Sequence, residues 1–423
     1  MSDVTPDLLD FIAAGPTPFH VVAEVARRLD AAGFEPLDET ARWELRPGGR
    51  YRVVRGETTI AAFVLGQAPP SEAGFALVGA HTDSPNLRLK PRAAFEREGY
   101  RQVGVETYGG VLLQTWFDRD LGLSGRLLVA SGDAAPRSVL VRCDDPVARI
   151  PRLAIHLDAT ANDAGIADRQ IDLAPILGLT GEGPDFETWL RRRAGLADGE
   201  TVLATDLMLH PVEPPAIGGI DGDLVFAPRL DNLASCHAAV RALLDHVDAP
   251  SAATRGLLLY DHEEVGSTTR QGAAGSLLAD LVARLGGEKE EDRARARARS
   301  WFLSVDMAHA RHPNRPEKHD PQHKPALNGG PVIKYNANAR YATDGETAAH
   351  FKRLCAAADV PVQEFVMRTG SPCGSTIGPV VAAQLGLRTA DVGCPMLSMH
   401  SARETAGARD QDLMIRALGV FFS

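Results

Sequence analysis

Asp261-His262-Glu263-Glu264 sets two adjacent carboxylates beside an imidazole, directly after the apolar Leu258-Leu259-Tyr260. Neighbouring carboxylates repel each other unless something positive holds them. A metal ion would do so, with one glutamate as a ligand and the other left free as a general base. A solvated acidic turn would carry the same residues, so the remaining chain has to decide. Four further stretches put metal-type ligands beside apolar runs or in the adjoining loops: His81-Thr82-Asp83, Arg229-Leu230-Asp231-Asn232, Val305-Asp306-Met307-Ala308-His309 and Ser398-Met399-His400-Ser401. Imidazoles and carboxylates together form a mixed nitrogen–oxygen donor set that suits zinc, and also cobalt or manganese. Three carboxylates against two dications leave one positive charge, and a water acidified there becomes a nucleophile near neutral pH.

Such side chains need stiff mounts. Phe75-Ala76-Leu77-Val78-Gly79-Ala80 reads as a buried strand with His81 at its carboxyl end, and Trp301 to Val305 as another with Asp306 at its end. Gly256 to Tyr260 leads into the paired glutamates in the same way. In an open α/β sheet the carboxyl ends of the strands line the binding crevice. Further strands are expected at Pro331 to Tyr335, Val362 to Val366 and Arg388 to Val392, and a hairpin at Tyr51 to Leu65 around Gly56-Glu57. Helices are expected at Leu233 to Val247, Gly275 to Leu285, Glu346 to Ala358, Ile377 to Leu385 and Gln411 to Phe422. Thr5-Pro6 and Thr17-Pro18 read as helix starts, each with a capping hydroxyl followed by proline. Alternating strand and helix around a central sheet is α/β patterning.

Between about Leu89 and Asp221 the texture changes to short β-like runs, Val111 to Gln114, Arg126 to Ala130 and Ser138 to Arg142, separated by Gly, Asp and Pro turns. The expected organisation is therefore a discontinuous catalytic domain, 1–88 and 222–423, interrupted by an inserted mainly-β domain, 89–221. The 423 residues suffice for such a division. A net charge of −10 argues against a general nucleic-acid partner, and the absence of a long apolar run argues against a membrane span. The first ten residues carry acids and no base, unlike a signal peptide. Five scattered cysteines with no Cys-x-x-Cys read as reduced core thiols in a cytoplasmic protein.

The stretches named above, with Thr115-Trp116-Phe117-Asp118-Arg119-Asp120-Leu121, Ala154-Ile155-His156-Leu157, Gly330-Pro331-Val332-Ile333-Lys334 and Met399-His400-Ser401-Ala402-Arg403-Glu404, resemble the aspartyl aminopeptidases, dinuclear zinc exopeptidases of clan MH. The resemblance runs in order along essentially the whole chain. It implies the zinc exopeptidase fold, a central mixed sheet flanked by helices, with the insert as a dimerisation domain. It implies two divalent ions per subunit, most naturally Zn2+. Asp231 would bridge them, His81 and Asp306 would complete one site, and Glu264 and His400 the other. Glu263 would be the general base, and Asp83 would orient His81. His309, Lys334 and Tyr341 would contact substrate, as would His156, reaching a neighbouring subunit's site. The resemblance further implies a cis peptide at Asp231-Asn232, dimers that assemble into a dodecamer, and peptide substrates with an acidic N-terminal residue.

The alternatives are a clan relative with neutral aminopeptidase or deacylase specificity, and a non-catalytic assembly protein that keeps metal for structure. Retention of Glu263 speaks against the second. His319-Asp320-Pro321-Gln322-His323 spaces two histidines like a helical zinc motif but lacks the glutamate and holds a proline, so it reads as a surface loop. Gly370-Ser371-Pro372-Cys373-Gly374-Ser375 is a Gly/Pro turn and not a nucleophile elbow. Glu288 to Arg299, dense in alternating charge, reads as a solvated helix or loop.

Overall fold

The computed structural model describes residues 4–162, 165–166, 168–181 and 183–423. It separates into two compact units, Met1–Asp83 with Pro215–Met399 and Glu404–Ser423, and Ser84–Pro214 with His400–Arg403.

The first unit is built on a nine-stranded sheet. Its strands are β1 (Glu35–Pro36), β2 (Arg50–Arg55), β3 (Thr59–Val64), β4 (Phe75–His81), β5 (Thr254–Tyr260), β6 (Trp301–Val305), β7 (Val332–Tyr335), β8 (Gln363–Val366) and β9 (Arg388–Gly393). They lie in the order β1-β2-β3-β5-β4-β6-β9-β7-β8. The central β5, β4, β6 and β9 run parallel, while β3 and β7 join them antiparallel, so the sheet is mixed. Every residue of β5 is buried, as a strand covered on both faces requires. Tyr260 pairs with His81 and Ser304 with Gly79, so the three central strands end level with one another. That alignment delivers the residues after β5 and β6 to the same height as His81.

Helices α1 (Val4–Ala14), α2 (Pro18–Ala31), α3 (Leu230–Asp245), α4 (Leu277–Leu285), α5 (Glu290–Arg299), α6 (Gly345–Ala357), α7 (Ile377–Leu385) and α8 (Asp410–Phe422) flank the sheet. α3 supplies the deepest layer of the larger core, with Leu233, Val240 and Leu243 packed among Val78, Leu257 and Leu303. The β2–β3 turn spans Gly56, Glu57 and Thr58 between the paired Arg55 and Thr59, with positive φ at both Gly56 and Glu57. α6 starts at a capping box made by Asp344 and Thr347.

Both threonines expected as helix caps do something else. Thr5 lies inside α1, where its hydroxyl donates to the Ala408 carbonyl at 2.9 Å. Thr17 precedes α2, but its hydroxyl meets His20 Nδ1 at 2.8 Å instead of a backbone amide. Asp7 on α1 is held by His237 on α3 at 2.8 Å, by Arg28 and by Arg241, which pins the first helix to the sheet's covering layer. The segment expected as a solvated stretch forms α5, with Ala296 fully buried on its inner side.

The second unit holds a six-stranded antiparallel sheet in the order Arg137–Ala148, Leu121–Ser131, Glu200–Pro211, Asn86–Arg97, Tyr100–Tyr108 and Ile176–Leu179. Leu87, Leu123, Leu127, Val129, Val141 and Leu207 form its core. The strand expected at Val111 to Gln114 is instead a bend leading into a 3-10 helix, Leu113–Trp116. Burial of the Trp116 ring and the Thr115 amide bonded back to the Leu112 carbonyl close that turn. Among the described residues, no helix is long and apolar enough to cross a membrane. All five cysteines are free thiols; four are buried and Cys373 is half-buried.

Candidate metal centre

His81 ends β4, and its ring is fully buried. Nδ1 faces the Asp83 carbonyl oxygen at 3.0 Å and the Asp83 carboxylate at 3.3 Å. That leaves Nε2 as the nitrogen turned toward the other acids. It lies 3.5 Å from Asp231 Oδ1, 3.4 Å from Asp306 Oδ1 and 3.9 Å from Glu263 Oε2. Zinc bonds of about 2.0–2.1 Å at tetrahedral angles put neighbouring ligand atoms about 3.3 Å apart. The His81–Asp231 and His81–Asp306 separations are close to that spacing.

Each acid is placed by a separate device. Asp231 follows Arg229, which is in the left-handed region, and has non-helical torsions within the first turn of α3; the Asp231-Asn232 peptide is cis. Its amide donates to Glu404 at 3.1 Å, and the Asn232 side chain donates to the Val305 carbonyl at the end of β6. The Asp306 amide donates to the Val392 carbonyl of β9. Gly393 is needed beside it, because a Cβ there would meet the Asp306 carbonyl oxygen at 1.8 Å. Glu263 and Glu264 lie in a short 3-10 turn, Glu263–Val265, bounded by left-handed His262 and Gly266. The Asp83 carboxylate accepts both of their amides, at 3.2 and 3.1 Å. Asp83 is fully buried and therefore links the imidazole to the glutamate turn.

The electrostatics suit a bound cation. Burial opposes charge on His81, yet Asp231, Asp306 and Asp83 outweigh it and hold the ring's pKa well above its usual value. Burial pushes the Glu263 carboxyl up, with Asp306, Asp83 and Asp231 adding repulsion and His81 opposing it. Burial and then Asp231 push Glu264 up as well. A buried cluster with this much acid and one imidazole is the environment a divalent cation neutralises. The donor set, its spacing and its charge fit zinc.

Lys334, on β7, is buried beside this cluster. Its ammonium donates to the Asp306 carbonyl at 2.8 Å, to Asp306 Oδ2 at 3.3 Å and to the Met307 carbonyl at 3.3 Å. It also lies 5.1 Å from the centre of the Tyr341 ring. His309 stands on the short strand Ala308–His309, its ring edge-on to Phe365 at 5.9 Å. The first unit thus brings together His81, Asp83, Asp231, Glu263, Glu264, Asp306 and Lys334, with Tyr341 against the lysine. His156 and His400 belong to the second unit. His400 Nδ1 meets the Gly110 carbonyl at 3.0 Å. His156 is on the exposed segment 151–157. The two histidines singled out as a decoy stay apart in their roles: His319 accepts the His312 amide, and His323 pairs with Asp320.

Sequence reasoning gave no role to Glu404, which fixes the Asp231 amide, although it closes a quoted motif. It also gave none to Asp391, which is buried on β9. A single acid between Ala390 and Val392 was the available signal for Asp391.

A mixed sheet whose parallel central strands carry these donors at their carboxyl ends fits a metallohydrolase of the zinc exopeptidase fold. The family described as aminopeptidase I zinc metalloprotease (M18) matches residues 11–422. The chain belongs to this family of zinc aminopeptidases. It is 47% identical over 426 residues to a protein of Stutzerimonas stutzeri named "Probable M18 family aminopeptidase 2", covering 100% of this chain and 98% of that one. It superposes on the S. cerevisiae mApe1 dodecamer structure with a TM-score of 0.88 at 33% identity, covering 99% of this chain and 96% of that chain. An M18 aminopeptidase of Thermotoga maritima gives a TM-score of 0.86 at 25% identity, covering 99% and 95%.

Proposed function

We propose that this zinc aminopeptidase removes N-terminal Asp or Glu from peptides. The observation that carries this reading is Lys334, a buried cation beside Asp306 and under Tyr341. An acidic side chain entering the site would meet a charge that has no carboxylate partner other than Asp306 among the described residues. The two 3.3 Å bonds are the long ones, and the ones it can exchange.

The reading uses two divalent ions, zinc in the first place. His81, Asp231 and Asp306 would hold one; Asp231, Glu264 and His400 the other. Zinc, when bound, lowers the pKa of a water and polarises the scissile carbonyl. Glu263 takes the proton of the attacking water and returns it to the departing amine. Asp83 keeps His81 in the tautomer that presents Nε2. His309 and Tyr341 orient the substrate's N-terminal residue, and Lys334 receives its carboxylate.

His156 is assigned to the carbonyl oxygen of a substrate held by a neighbouring subunit. Leu153, Ile155 and Leu157 around it are 58%, 47% and 74% exposed, an apolar tip suited to burial in another copy. Dimers built through the inserted domain and joined into a dodecamer are the assembly proposed. Five thiols without a disulfide suit a reducing compartment, and the cytoplasm is the proposed location.

A panel of aminoacyl-anilides tests the substrate class. With saturating zinc, Asp and Glu substrates are expected to exceed Ala, Leu and Lys by roughly 30-fold or more in kcat/KM, as one desolvated charge pair provides. Equal turnover of Leu and Asp anilides would make this a neutral aminopeptidase.

A further inference from the structure

Asp391 is a carboxylate that the reaction does not use. It is fully buried near the end of β9, between two loops that border the candidate site. One loop carries Tyr341. The Ala342 amide donates to Asp391 Oδ2 at 2.6 Å, and the Asp391 amide donates to the Thr343 hydroxyl at 2.8 Å. The other loop leads into α7. There the Thr376 hydroxyl donates to Asp391 Oδ1 at 2.6 Å. Gly378, in the first turn of α7, leaves room for the carboxylate, since a Cβ would meet its oxygens at 2.4 and 2.5 Å. The positive end of the α7 backbone therefore faces Asp391.

Every one of these contacts acts on the chain next to Tyr341 or on the turn opposite it. Tyr341 is nearly buried, its ring 5.1 Å from the Lys334 ammonium. A tyrosine on a loop holds such a position only if the loop is fixed. We propose that Asp391 is a positioning residue for Tyr341: by tying the 341–343 segment to Thr376 at the start of α7, it fixes the phenol ring over Lys334 and shapes the subsite for the substrate's first side chain. This rests on the reading that Tyr341 contacts substrate.

The test is a double-mutant cycle in the zinc-loaded protein. Asp391→Asn keeps the shape but replaces one acceptor oxygen with an amide that cannot accept from Ala342 or Thr376. On Asp-anilide it is expected to raise KM at least tenfold, change kcat less than threefold and leave the bound zinc unchanged. Tyr341→Ala is expected to raise KM by at least as much. In the Tyr341→Ala background, Asp391→Asn should add less than threefold, because the residue it positions is gone. Thr376→Val, a milder cut of the same tie, should give a smaller KM rise of the same kind, and Thr376→Ser should restore the wild-type value. If Asp391→Asn folds poorly, the cycle is run with Thr376→Val in its place. Full additivity of the two substitutions, or loss of zinc in Asp391→Asn, overturns the positioning role while leaving Tyr341 a substrate contact. A Tyr341→Ala protein with wild-type KM overturns both.

Discussion

Glu263→Gln is expected to retain zinc and to lose roughly 10²–10⁴-fold in kcat, the range for removing a general acid–base group. Its carboxylate lies 3.9 Å from His81 Nε2, farther than those of Asp231 and Asp306. Its amide is fixed by Asp83, and a glutamine keeps that bond. The substitution therefore removes proton transfer and leaves the frame. Metal analysis alongside kinetics separates the two functions. A variant with wild-type zinc content and a rate within about tenfold of wild type would remove Glu263 from the base role.

Lys334→Ala is expected to collapse the preference for Asp over Ala substrates. Losing one partner of a desolvated charge pair costs about 2–5 kcal/mol, which corresponds to a change of roughly 30- to several-thousand-fold in that ratio. The ratio is the right readout because Lys334 also bonds Asp306. Its loss will loosen a candidate metal ligand and lower all rates together, and a ratio taken on one preparation cancels that common factor. If both substrates fall equally, Lys334 holds Asp306 and does not select the substrate.

What the sequence made legible was local. The apolar runs ending in His81 and Asp306 became β4 and β6 because a strand buried on both faces has little choice of pattern. Gly56-Glu57 announced its hairpin through turn chemistry. The less legible parts depend on contacts distant in sequence. Lys334 reaches back 28 residues to Asp306, and Asp391 reaches 49 residues to Ala342, so no window of sequence contains either tie. Thr5 and Thr17 carry good cap residues, yet tertiary partners claimed both hydroxyls. In the second unit, the long strand Asn86–Arg97 was not anticipated. It contains Pro91 and shifts register between Leu89 and Ala94, which breaks the alternation that marks a strand. The donor types were recognisable because five short stretches each carried them; that His81, Glu263 and Asp306 stand at one height follows from the level ends of β4, β5 and β6.

The most direct test of the metal-centre account is a zinc titration of chelator-stripped protein, with bound zinc and Asp-anilide hydrolysis followed together. The account predicts negligible turnover in the stripped protein, recovery in step with zinc binding, saturation at two ions per chain, and no recovery in Asp231→Ala at the same zinc concentrations. Undiminished hydrolysis after complete removal of zinc, or full recovery in Asp231→Ala, would contradict it.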